Sequence, residues 1–131
     1  MNTAFVTHAS RRILIVEPHA DTCSILRAFI EHYGHEVECV STAEAGLACA
    51  QLFKPHAVLI AIAPHDAGSF VLCKQLRAMP ETGNALIVGL STYLVRGMAG
   101  VNDTGGFDQI LLKPMDIQVF LDALKARVQL A

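Results

Sequence analysis

Five short strand-like segments, four of them runs rich in Ile, Val, Leu and Ala and one alternating apolar with acidic residues, each followed by a stretch with helical spacing, confine this chain to a narrow set of folds. The segments are Arg12 to Val16, Glu36 to Val40, Ala57 to Ile62, Ala85 to Leu90 and Gln109 to Leu112. Most are apolar at successive positions, so a strand built from them is buried on both faces. The first run ends at Glu17-Pro18, because a proline has no N–H with which to continue a ladder. Strands alternating with helices predict a parallel sheet covered by helices on both sides.

The intervening segments carry the marks of those helices. From Asp21 the residues Ile25, Leu26, Phe29, Ile30 and Tyr33 recur at spacings of three and four, until Gly34 supplies a C-cap at positive φ. Ser41-Thr42-Ala43-Glu44 reads as a capping box opening an Ala/Leu-rich helix through Phe53. A third helix spans Ser69 to Ala78. A short, mobile fourth is expected near Tyr93, weakened by Gly97, Gly100, Gly105 and Gly106, each glycine costing about 1 kcal/mol relative to alanine. Asp116 caps a last helix with Ile117, Phe120, Leu121, Leu124 and Val128 on one face.

The 131 residues, 53% of them hydrophobic, suit one core and one domain. That domain is expected over residues 12–131, after a flexible segment 1–11 and with no output domain after Ala131. Net charge is -2, from 10 Lys+Arg against 12 Asp+Glu. With no basic stripe, direct nucleic-acid binding is not expected. Cys23, Cys39, Cys49 and Cys73 show neither a C-x-x-C pair nor zinc spacing and read as reduced core thiols. No stretch reaches the roughly 18 apolar residues of a membrane helix. The N-terminus lacks the long apolar core of a signal peptide. A cytoplasmic protein without membrane contact is the expectation.

In an open α/β sheet, sites form beyond the C-terminal ends of the strands, here at Glu17, Ala61 to Asp66, Ser91 and Lys113. The succession ILIVE, PHAVLIAI, IVGLS and ILLKP over residues 12 to about 130 resembles the receiver domain of bacterial response regulators, the CheY-like superfamily. The resemblance implies a flavodoxin-like three-layer αβα sandwich: a five-stranded parallel sheet of order 2-1-3-4-5 with five helices. It also implies a site: two acidic residues after the first strand, an acceptor Asp ending the third, Ser or Thr ending the fourth, and Lys with a cis proline ending the fifth. Glu17, Pro18, Ala61, Ser91, Lys113 and Pro114 occupy those places, and Ile110 occupies that of the aromatic switch. Thr92 stands where the family usually has a smaller residue.

A methyl group at position 61 neither accepts a phosphoryl group nor ligates magnesium, and the family reaction needs both a carboxylate nucleophile and a cation held by several oxygens. The resemblance with these departures implies an atypical, stand-alone receiver in two-component or phosphorelay signalling. Such a chain is no enzyme, uses no cofactor and acts by protein contact. Its partner would be a histidine kinase or another signalling protein, met by the first helix with Arg27, Glu31 and His32. A homodimer through the fourth helix, fifth strand and fifth helix is the other implied contact.

Blander readings stand beside these. Lys113 is expected to pair with Glu17 as a structural ion pair, and Ser91 to satisfy a strand-end backbone group. Asp66, in a loop about one residue shorter than the usual receiver loop, is chiefly a turn residue and a remote substitute acceptor. Glu17, His19, His65 and Asp66 form the one conceivable metal cluster, although no metal is expected. The alternative from another class is a flavodoxin-like small-ligand or metal-binding protein using the same crevice. It lacks a glycine-rich phosphate loop after the first strand.

Overall fold

The computed structural model describes residues 10–63, 67–92 and 105–130. Its strands are β1 (Arg12–Val16), β2 (Glu36–Val40), β3 (Ala57–Ile62), β4 (Leu86–Ser91) and β5 (Gln109–Leu112). They form one parallel sheet in the order β2-β1-β3-β4-β5. The helices are α1 (Ala20–His32), α2 (Ala43–Phe53), α3 (Gly68–Ala78) and α4 (Ile117–Leu130). Four helices are thus seen among the described residues where five were expected. The segment thought to carry the other, from Tyr93, lies at 93–104, outside the described residues. The same holds for the first nine residues.

Alternation along β1 sorts side chains between two cores. Ile13 and Ile15 point to one side, where Cys23, Ile30, Phe120 and Leu124 from α1 and α4 cover them. Leu14 and Val16 point to the other, with Ala50, Leu72 and Leu76 from α2 and α3. Both faces of β1 and β3 are therefore dry, which explains their unbroken apolar sequence. Gly89 in β4 is a packing requirement: a Cβ there would lie 2.6 Å from Ile62 Cδ1 and 3.2 Å from the Phe107 ring.

The first helix departs from its sequence pattern. Cys23 and Ile30 form the buried stripe, whereas Ile25 and Phe29 are 58% and 54% exposed and Tyr33 is also exposed. A helix over the β1–β2 edge needs only a narrow stripe, because α4 covers the rest of that face. Gly34 follows the helix as expected, at φ 92°, and its N–H donates to Glu31 O at 2.9 Å. The cap of α2 is Thr42 rather than Ser41: its hydroxyl accepts from Ala45 N at 3.1 Å. The helix begins one residue later than a box on Ser41 requires, so Glu44 cannot close it. Thr42→Ala is expected to lower stability by about 1 kcal/mol, read as a reduced urea midpoint with an unchanged m-value.

At the N-terminal end of the sheet, two histidines hold the start of β1. Arg12 N donates to His56 Nδ1 at 2.9 Å and Arg11 N donates to His35 Nδ1 at 3.0 Å. An acceptor nitrogen must be unprotonated. Burial, and then the Arg12 and Arg11 charges, hold His56 below its ordinary 6.5. Between the folded and unfolded values the unfolded chain binds more protons, so stability rises with pH there and is lost as pH falls below about 6.5. His56→Gln, which keeps an acceptor, is expected to flatten that slope in urea titrations at pH 7.5 and 5.5.

Asp108 ties the opposite flank together. Its carboxylate accepts from Ile87 N at 2.8 Å and Arg77 Nη2 at 2.7 Å, and from Arg127 Nη2. Burial alone would raise its pKa, but these donors hold it below the usual value. This joins α3, β4 and α4 at the end of the sheet remote from the crevice.

Candidate functional site

The register brings the strand ends together. Val16 pairs with Ile60, so Glu17, one residue beyond β1, is level with Ala61. Ala61 pairs with Leu90, and Ser91 pairs with Ile62 on one side and Leu112 on the other. Glu17 N donates to Val40 O at 2.9 Å, and Lys113 N to Ser91 O at 2.7 Å. The residues gathered from the four strand ends, Glu17, Ala61, Ser91 and Lys113, therefore share one rim of the sheet.

The central contact there is an ion pair. Lys113 Nζ lies 2.7 Å from Glu17 Oε1, with the glutamate side chain 1% exposed and the lysine 22%. The other oxygen, Oε2, accepts from His19 N at 3.1 Å and faces His19 Nδ1 at 3.2 Å. Burial pushes the Glu17 carboxyl up, but Lys113 and the His19 bonds outweigh it and leave the group below its usual 4.5. Glu17 is therefore an ionised carboxylate with both oxygens engaged. The expected Lys113–Glu17 pair is present. His19's part in it was not foreseen; the signal was Glu-Pro-His at a helix start, where a buried carboxylate meets the first free N–H.

The Lys113-Pro114 peptide is cis, as the resemblance implied. Ser91 is fully buried, and no buried side-chain polar atom among the described residues lacks a hydrogen-bond partner. Ile110 is half-buried and packs on the α2–α3 core. Pro18 is exposed at the start of α1, and Thr92 is exposed at the rim.

Beside the ion pair opens a cavity of about 320 Å³, lined by Glu17, His19, Ala61, Ser69, Thr92 and Lys113 among others. Glu17 is the single carboxylate among its described lining residues. A magnesium ion takes six oxygen ligands at close to ideal geometry, usually including one or two carboxylates that are free to bind it. Glu17 is already committed to an ammonium and an N–H, so the described donor set does not fit that ion. Of the four-residue metal cluster, Glu17 and His19 are adjacent, while His65 and Asp66 lie outside the described residues. Among the described residues no three of His, Cys, Asp and Glu gather at one point.

The sheet order, the two helical layers and the cis proline at the crevice define the fold of a receiver domain. Solved structures agree. A response regulator receiver domain from Methanospirillum hungatei JF-1 superposes with a TM-score of 0.80 at 20% identity, covering 94% of this chain and 100% of that one. A CheY-like receiver domain from Methylobacillus flagellatus gives 0.74 at 24% identity, covering 91% and 99%. The receiver domain of a sensor histidine kinase from Pseudomonas aeruginosa PAO1, with magnesium coordinated in its active-site cleft, gives 0.77 at 18% identity, covering 92% and 99%. No protein-family model matches the sequence, and no curated protein matches it. No described helix is long and apolar enough to cross a membrane.

Proposed function

We propose that this chain is a degenerate receiver domain of two-component or phosphorelay signalling that works by protein contact, without accepting phosphate and without catalysing a reaction. The observation that carries this reading is the crevice itself. Ala61 stands level with Glu17, and the sole described carboxylate lining the cavity is already neutralised by Lys113. Phosphoryl transfer depends on a positioned nucleophile and on cations that neutralise equatorial oxygens. The described crevice offers an internal ion pair in place of both.

The partner is proposed to be a histidine kinase or another signalling protein. The exposed Ile25 and Phe29 of α1 favour a docking face there, since they flank a groove of about 460 Å³ with Pro114, Met115 and Ile117. Arg27 and Glu31 stand on the same helix as charged neighbours. The β5–α4 side adds exposed Leu112 and Val119 and is the surface proposed for a homodimer.

Incubation with acetyl phosphate and magnesium, or with beryllofluoride and magnesium, tests the reading. The intact mass and the amide NMR spectrum are expected to stay unchanged. A phosphoryl adduct on any aspartate, Asp66 included, would overturn it.

A further inference from the structure

Two of the four cysteines meet between the first helix and the edge strand. Cys39 on β2 and Cys23 on α1 belong to the same core cluster, and the Cys39 thiol lies 3.7 Å from the Cys23 carbonyl oxygen as its donor. Burial, and then the neighbouring Cys39, push the Cys23 thiol up to about 12. Sixteen residues separate the pair in sequence, so their meeting is a product of the β1–α1–β2 crossover rather than of local spacing.

The surroundings suit chemistry at one sulfur first. Cys39 is partly exposed and, with Cys23, lines a cavity of about 410 Å³ that opens beside Ser24, Arg27 and Ser41. Arg27 is held there by Val37 O at 3.0 Å and Glu31 at 3.3 Å, and it lines the same cavity as both thiols. A cationic neighbour and partial exposure mark a reactive cysteine, whereas a buried thiol alone is inert. Cys49 and Cys73, on the other side of the sheet, have no such pairing.

We propose that Cys23 and Cys39 form a redox pair that a peroxide oxidises to an intramolecular disulfide between α1 and β2. The Cys39 thiolate attacks one peroxide oxygen, the O–O bond breaks, and Cys39 becomes a sulfenic acid as the other oxygen leaves and takes a proton to form water. The Cys23 sulfur then attacks the Cys39 sulfur. The S–O bond breaks, the hydroxyl leaves with the Cys23 proton as a second water, and the S–S bond forms. Two thiols lose two electrons and the peroxide gains them. The bond would pin α1, with its exposed Ile25 and Phe29, to the edge of the sheet, and a dithiol reductant would release it.

The test uses the full reduced chain, treated with hydrogen peroxide and then counted with N-ethylmaleimide in denaturant. Reactive thiols are expected to fall from four to two, the intact mass to fall by two hydrogens, and dithiothreitol to restore both. Cleavage after glutamates, which spares the Glu17-Pro18 bond, separates Cys23, in 1–31, from Cys39, in 39–44, and from Cys49 and Cys73, in 45–81. The first two peptides are expected to be joined, in the wild type and in Cys49→Ser alike, and the join is expected to vanish in Cys39→Ser. Four surviving thiols, sulfinic acid without a cross-link, or a bridge to the 45–81 peptide would each overturn the proposal.

Discussion

Lys113→Met is expected to destabilise the fold by about 2 kcal/mol at pH 7, because it leaves the Glu17 carboxylate buried without its ammonium. Removing one member of a fully buried pair costs about 3–5 kcal/mol. The figure here is smaller because Lys113 is partly exposed and His19 keeps its hold on Oε2. Methionine retains the length and much of the apolar stem, so lost packing contributes little. The measurement is the urea midpoint of variant and wild type at a common m-value.

The pH dependence separates this from a packing defect. In the wild type the folded Glu17 carboxyl lies below 4.5, so its contribution to stability is present above 4.5 and is lost as pH falls through the folded value. Without Lys113 the largest influence left is burial, which raises the pKa. Protonation then removes the unpaired charge that makes the variant unstable. The gap between the two proteins should therefore close as the pH is lowered through the carboxylate range. The acid loss from His56 is common to both and cancels in the difference. A gap that stays constant from pH 7 to pH 4 would show that Lys113 acts through its stem and not its charge.

The strands were most legible where both faces are buried, so that Arg12 to Val16 and Ala57 to Ile62 read directly from composition. Helix orientation was not. Ile25, Phe29 and Tyr33 fit a helical period as well as Cys23 and Ile30 do, and only the place of α1 at the sheet edge decides which stripe is covered. The Lys113–Glu17 pair was foreseeable from two opposite charges at strand ends that share one rim of the sheet. The bonds from His19, His35 and His56 were not, since each joins an imidazole to a backbone N–H or a buried carboxylate that exists only after the turn or the sheet has formed. Asp108 was passed over for the same reason: a single acid before an apolar strand gives no hint that Arg77 and Arg127 converge on it.

Ala61→Asp together with Pro18→Asp is expected to give a chain phosphorylated at residue 61 by acetyl phosphate, seen as the added mass of one phosphoryl group that depends on magnesium. Ala61→Asp alone is expected to fail. Adjacent strands lie about 4.8 Å apart, so the new carboxylate would stand beside Glu17, level with it in the register. Both would then compete for Lys113, with too few free oxygens left to hold a divalent cation. Pro18 is exposed, and replacing it adds a carboxylate at the mouth without opening the core. With three carboxylates against one ammonium, a cation becomes the cheaper neutraliser, and Lys113 is released toward an incoming phosphoryl oxygen. Phosphorylation of the single variant would mean that Glu17 and residue 61 suffice. Its absence in a folded double variant would mean that the chemistry was lost beyond these two positions, and Thr92 at the rim and Ile110 on β5 are the residues that a third substitution would then have to address.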